Sequence, residues 1–322
     1  MDEDPEARQF AKLVVTAVTP WAVDIVRFEL RDPAGANLRS FAPGAHIAVR
    51  APNGALRRYS LCNDPADTDR YEIAVKRDAF GRGGSMAMTD HLEPGSLLRV
   101  AAPTNEFALH PRAKRFLFIA GGIGITPIMS MMRHLVSTED VPFELHYCSR
   151  SMQHAAFASL LAAAPFIDHV HFHHDDGDPQ RAFDFWPLLE KPSAAHVYCC
   201  GPRTLMDAVR DMTGHWPFGA VHFESFGIDA ATRREDRAFT VVLGRSGTRI
   251  EIPADQSILE TLRACGHVIR SSCEAGSCGS CKTGLVSGDV DHRDFVLDEH
   301  DRASQIMVCV SRARSGALVL DL

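Results

Sequence analysis

The chain lacks a basic excess. Lys and Arg number 34 against 41 Asp and Glu, a formal net charge of −7. A phosphate backbone wants a basic face, so a nucleic-acid partner is not expected. The chain also lacks an unbroken apolar run long enough to cross a bilayer. Its most lipid-like stretch, Phe116 to Met132, is uncharged but carries Gly121, Gly122, Gly124 and Pro127. Such punctuation reads as strand, glycine turn and helix start, so no membrane association is expected. The opening Met1-Asp2-Glu3-Asp4-Pro5-Glu6 has no apolar h-region, so no secretory signal is expected. A second C-x2-C knuckle is missing too, which disfavours a structural zinc site. Finally, the Gly121–Gly124 loop does not follow G-x-G-x-x-G, so a usual Rossmann site is excluded in detail.

What is present is informative. With 322 residues, 45% hydrophobic and 23% charged, the chain has ordinary globular composition and room for two or three domains. It holds nine cysteines. Cys273, Cys278 and Cys281 follow C-x4-C-x2-C, and Cys309 lies downstream. This is the plant-type spacing for four thiolates holding a [2Fe–2S] cluster. Three ligands come from one tight loop, where Gly276 and Gly279 permit backbone angles that other residues resist. Small residues keep the loop thin, so backbone N–H groups can point at sulfur. Cys62, Cys148, Cys199, Cys200 and Cys265 remain. An odd remainder without a secretory signal suggests free thiols in a reducing cytoplasm.

From Phe10 to about Val100 the pattern is short alternating strands with Pro, Gly, Asn and Asp turns, which predicts an antiparallel barrel or sandwich. Two segments inside it look chemical. Arg57-Arg58-Tyr59-Ser60 reads as a strand on which an arginine can pair with a phosphate. A tyrosine two places on shares its face and can lie against a planar ring. Ala74-Val75-Lys76 is a strand running into Gly81, Gly83, Gly84 and Ser85, a nest for an anion at a helix start. Either alone could be an ordinary strand or turn. Together, ahead of a nucleotide pattern and a cluster, they point to a flavin.

From Lys114 the pattern becomes strand–helix alternation. Phe116–Ala120 reads as a strand buried on both faces, followed by Gly121-Gly122-Ile123-Gly124-Ile125-Thr126-Pro127 and an amphipathic helix. Strand, glycine loop and helix make a phosphate-binding arrangement, with Thr126 placed to cap and Pro127 suited to the first helical position. Ser149 and Arg150 end the next strand and are candidate contacts for the adenosine side of a nicotinamide cofactor. Asp176, in the Asp175–Asp178 run, suits ribose hydroxyls and repels a 2′-phosphate, favouring NADH. His169, His171 and His173 share one face of a predicted strand. Three ligands on one flat strand cannot close a tetrahedral site unaided, so they are expected to be solvated. Cys200-Gly201-Pro202 turns a strand into a helix.

Residues 229–237 are polar, charged and aperiodic, as in a linker. The final segment reads as a small α+β domain. Phe239–Leu243 and Thr248–Ile252 form a predicted hairpin, and Ser257 with Glu260 makes a capping box. The strand Gln305–Val310 carries Cys309.

R-x-Y-S, then G-R-G-G-S, then G-G-I-G-I-T-P, ahead of the cysteine loop, resembles the ferredoxin-NADP reductase-like superfamily. Within it the phthalate dioxygenase reductase family has the same domain order, and the likeness spans the chain. The resemblance implies an FMN barrel over 1–112, an NAD-binding α/β parallel-sheet domain over 113–228 and a β-grasp plant-type ferredoxin over 238–322. It implies that Thr126 and Phe226 lie near the flavin ring and that Cys200 approaches the reactive nicotinamide carbon. Gly121, Gly122, Gly124, Ile125, Gly201 and Pro202 then line the nicotinamide end. A flavin can take a hydride and release single electrons, so it must stand between NADH and the cluster. The implied acceptor is a Rieske-type oxygenase acting on an aromatic compound, phthalate first. The alternatives are a vanillate-type O-demethylase reductase and a general NADH diaphorase. The expected assembly is a monomer.

Overall fold

Period-two alternation in the first hundred residues produces six strands: β1 (Phe10–Ala22), β2 (Ile25–Arg31), β3 (His46–Arg50), β4 (Leu56–Ser60), β5 (Tyr71–Lys76) and β6 (Leu97–Ala101). The computed structural model describes residues 10–138, 141–227 and 235–322. The six strands form one antiparallel sheet in the order β4-β3-β6-β1-β2-β5. Its two ends meet where Leu61, just past β4, bridges Ile73 on β5, so the sheet curls towards a barrel. Phe28, Leu30, Ile47, Val49, Leu61 and Ile73 fill the interior with no exposed surface. Helix α1 (Gly84–His91) follows the glycine turn as expected.

Apolar runs in the next hundred residues make a parallel sheet. Its strands are β7 (Arg115–Gly121), β8 (Phe143–Ser149), β9 (Val170–His174), β10 (Ala195–Cys200) and β11 (Val221–Glu224), ordered β11-β10-β7-β8-β9. Helix α2 (Ile125–Thr138) buries Ile128, Met129, Met131, Met132 and Leu135, and α3 (Arg203–Met212) begins where the sequence placed it. Both sheets belong to one compact unit, Met1–Glu224. A charge knot joins them. Arg133 of α2 donates to the Cys62 carbonyl at 2.8 Å and reaches Glu72 of β5 at 3.4 Å. Burial alone would raise the Glu72 carboxyl, but Arg27, Arg133 and Arg70 hold it below its ordinary value.

The second unit, Ser225–Leu322, carries β12 (Phe239–Leu243), β13 (Arg249–Ile252), β14 (Lys282–Asp291), β15 (Gln305–Met307) and β16 (Arg312–Leu320). The order is β13-β12-β16-β14-β15, with β12 parallel to β16 and the other pairs antiparallel. Helix α4 (Ile258–Ala264) covers this sheet through Ile258, Leu259 and Leu262, and the Ser257–Glu260 capping box is formed.

Three expectations change. Strand β9 starts at Val170, because His169 sits in a preceding 3-10 turn with Nδ1 against the Phe143 carbonyl at 3.2 Å. Cys309 lies past β15 in a turn closed by Val310 and Ser311 N–H on the Met307 carbonyl. Of the predicted linker, residues 229–234 lie outside the described residues. Asp236 and Arg237 are tied down, by Arg293 to the Asp236 carboxylate at 2.7 Å and by Arg312 to the Arg237 carbonyl at 3.0 Å.

Candidate functional site

Strand β4 places Arg57 and Tyr59 on one face and the exposed Arg58 on the other. Arg57 donates to the Leu56 carbonyl at 2.8 Å and to the Arg82 carbonyl at 3.4 Å. Its guanidinium lies over the start of α1, where a Cβ on Gly84 would meet Arg57 Nε at 2.4 Å. Gly83 sits at φ 75° and no side chain caps the helix. A cation and an uncapped helix N-terminus on one spot fit a phosphate. Ser85 is engaged with the Asp78 N–H at 3.1 Å, while Gly81 is exposed. Ala74 and Val75 are buried in β5, and Lys76 is exposed at its end. The Tyr59 hydroxyl is buried without a hydrogen-bond partner, and burial pushes it up to about 12. A buried hydroxyl lacking a partner fits a site shaped for a polar planar ring.

The two glycine turns interlock. A Cβ on Gly124 would stand 2.2 Å from the Cys200 carbonyl oxygen, and one on Gly121 would stand 2.5 Å from Pro202 Cδ. Gly201 in turn approaches Gly121 Cα, at 2.9 Å for an added Cβ. Only residues without side chains let these turns touch backbone to backbone. The sequence reads the Gly121–Gly124 loop as a phosphate-binding turn. In the structure Gly121 and Gly124 serve packing, and Gly122, at φ 53° with open space around it, is left facing outward. Thr126 is not a helix cap. It donates to the Ile123 carbonyl at 3.0 Å from within a helix that already starts at Ile125.

These turns bring Cys200 to one buried polar point. Ser60, next to Tyr59 on β4, donates to Glu224 of β11 at 3.4 Å. Cys200 and Glu224 end neighbouring strands in register. Glu224 was not among the residues singled out from sequence. Burial pushes its carboxyl up to about 8, so it holds a proton near neutrality. Burial also raises the Cys200 thiol well above its ordinary value. Ser60, Cys200, Glu224 and Thr126 are thus buried and neutral at pH 7. The one signal for Glu224 was a carboxylate at the end of a short edge strand. Phe226, two residues on, is 52% exposed.

The adenosine-side candidates are partly occupied. Ser149 Oγ donates to the Ser151 carbonyl at 3.1 Å and lies 3.0 Å from His174 Nδ1. Asp176, at φ 51°, is paired with Arg181, and Arg150 is exposed. Pairing with Arg181 weakens the repulsion of a 2′-phosphate that the acidic run suggested.

In the second unit the cysteine loop is built as the spacing implied. Ala275 and Ser277 N–H groups donate to Cys273 Sγ at 3.4 Å each, and Cys273 N–H donates to Cys278 Sγ at 3.3 Å. Ser280 Oγ is 3.0 Å from Cys278 Sγ. The thiols fall into two hydrogen-bonded pairs. Cys273 lowers Cys278 while itself being raised, and Cys309 does the same for Cys281. Two sulfur pairs and inward N–H donors fit a two-iron cluster. A Cβ on Gly276 would meet Val310 Cγ2 at 2.8 Å, so the loop cannot thicken there. Arg263 of α4 anchors the loop by donating to Glu274 at 2.8 Å, and Glu274 sits at φ 53°. Among the described residues no helix is long and apolar enough to cross a membrane.

Comparison with known proteins agrees with this layout. Family models for an oxidoreductase FAD-binding domain, an oxidoreductase NAD-binding domain and a 2Fe-2S iron-sulfur cluster binding domain match residues 11–109, 118–211 and 241–314. The chain is 58% identical to a phthalate 4,5-dioxygenase oxygenase reductase subunit of Pseudomonas putida, covering 97% of each. It is 39% identical to a vanillate O-demethylase oxidoreductase of a Pseudomonas strain, over 97% of the chain and 99% of that protein. A solved phthalate dioxygenase reductase, described as a modular structure for electron transfer from pyridine nucleotides to [2Fe–2S], superposes with a TM-score of 0.79. That protein is 53% identical and covers 99% of this chain, which covers all of it.

Proposed function

The chain belongs to the phthalate dioxygenase reductase family, as an electron-transfer reductase of an oxygenase system, and we propose that its acceptor is a Rieske-type phthalate dioxygenase. We assign residues 1–112 to the flavin, 113–228 to NADH, 229–237 to a linker whose last two residues pack against the cluster domain, and 238–322 to the cluster. The protein works as a cytoplasmic monomer without a nucleic-acid partner. Cys62, Cys148, Cys199, Cys200 and Cys265, the cysteines outside the cluster set, form no disulfide among the described residues, which suits a reducing compartment.

The carrying observation is the meeting of Ser60, Cys200 and Glu224, where the flavin-side strand and the nicotinamide-side turn share one buried point. When bound, nicotinamide supplies a hydride, FMN divides the electron pair, and the cluster passes electrons on singly. The chain's own residues do the positioning. Arg57, with the start of α1 at Gly83, Gly84 and Ser85, holds the flavin phosphate. Tyr59 would lie against its ring, with Thr126 beside it. Gly122, Ile125, Gly201 and Pro202 seat the nicotinamide, with Ser149, Arg150 and Asp176 on the adenosine side. Glu224 keeps a proton beside Cys200, so no fixed negative charge opposes approach of the cofactor. Cys273, Cys278, Cys281 and Cys309 ligate the cluster.

Anaerobic NADH titration tests this function. Both flavin and cluster absorption are expected to bleach, and turnover with phthalate is expected when a phthalate Rieske oxygenase is added. Failure of NADH to bleach either chromophore defeats the reductase assignment. Release of FAD on denaturation defeats FMN, and turnover with a vanillate demethylase alone moves the partner.

A further inference from the structure

The histidines of β9 are not merely solvated. Register places His146 of β8 directly beside His171 of β9, and Glu144 shares the face of His146 two residues earlier. Glu144 Oε1 lies 3.1 Å from His146 Nε2 and 3.1 Å from His171 Nε2. All three atoms fall within 4.8 Å of one another. Ligands held ~2.0–2.1 Å from a tetrahedral zinc ion stand about 3.3 Å apart, so small side-chain shifts suffice to close on an ion. One strand alone could not supply this geometry. The neighbouring strand adds a second imidazole and the carboxylate.

The surroundings suit a ligand set. His173 Nε2 lies 2.9 Å from His146 Nδ1, an outer partner that can accept a hydrogen bond from Nδ1–H and so leave the Nε2 lone pair for an ion. Arg115 pairs with the other Glu144 oxygen at 2.6 Å, leaving Oε1 for the ion. The His146 ring is buried and stacks with His171, His173 and Phe183. His171, 52% exposed, leaves a path for entry and a free coordination position.

We propose that Glu144, His146 and His171 form a binding site for a divalent transition metal of the zinc class, distinct from the four cysteines. Two imidazoles and one carboxylate with an open position match a known zinc donor set. Binding would pin the edge strand β9 to β8.

The test uses flavin- and cluster-loaded protein of verified iron content, with Zn²⁺ as the probe in titration calorimetry. One zinc per chain is expected, with a rise in unfolding temperature by mass action. His171→Ala and Glu144→Gln should each weaken zinc binding by about tenfold or more. His196→Ala is the control, since His196 belongs to a separate pair with His222 at 3.1 Å, and it should leave the affinity unchanged. Unchanged affinity in both ligand variants, or loss only in the control, overturns the site. Anomalous scattering from a zinc-soaked crystal decides without any variant: a peak between these three residues supports the site, and a peak elsewhere or none overturns it.

Discussion

The buried point around Ser60, Cys200 and Glu224 and the cysteine loop are built on opposite terms. Ser60, Thr126, Cys200 and Glu224 are each at most 8% exposed and come from distant parts of the chain. The four cysteines of the second unit's loop region all lie within residues 273–309, and Cys273 and Cys278 are only partly buried. A hydride site gains from dryness, because water competes for every polar group. An exit gains from thinness, because a partner must come close. The first is a tertiary construction and the second is mostly local.

Four experiments can break or sharpen that contrast. Cys281→Ala should have the largest effect. Cluster absorption and oxygenase turnover should vanish while NADH still bleaches the flavin, and flavin that no longer responds would contradict separate ends. Glu224→Gln comes next. Burial raises Glu224 from 4.5 to about 8, so the folded chain keeps a proton that the unfolded chain releases. Stability should therefore fall from about pH 4.5 to about pH 8 and level off above, by several kcal/mol in total. The glutamine variant should flatten that slope in denaturant unfolding. Flavin reduction by NADH, followed by stopped flow, should decline through pH 8 in the parent and not in the variant.

Ser277→Trp should act on the exit alone. Flavin reduction should keep its rate, and transfer to the oxygenase should slow several-fold, measured by single-turnover mixing. Equal oxygenase turnover would count against an exit at this loop. Arg263→Ala should be the smallest effect. The Arg263–Glu274 pair is partly exposed, so its loss should cost under about 1 kcal/mol in thermal unfolding of the loaded protein. It should still shift the cluster midpoint potential, because Glu274 holds the turn that aims the Ala275 N–H at Cys273.

Legibility follows the same divide. The loop could be read because four thiolates and small residues recur at fixed spacing, and spacing is a property of sequence. The R-x-Y-S strand and its glycine turn were readable for the same reason. Glu224 was not, since nothing near it in sequence says that Ser60 will face it. Thr126 looked like a cap because threonine before proline commonly is one, yet the helix starts a residue earlier. His169, His171 and His173 looked like one solvated face, because a strand's neighbours are invisible until the sheet is ordered.

The sequence alone settled the order of three domains and the spacing of the cysteine loop, because each rests on local periodicity or short spacing. Only the tertiary structure decided which glycines pack and which stays open, which carboxyl keeps its proton, and which histidines meet a glutamate. Those outcomes depend on burial and on contacts between strands far apart in the chain. A residue's own neighbours in sequence set neither the dielectric around it nor the partner across the sheet.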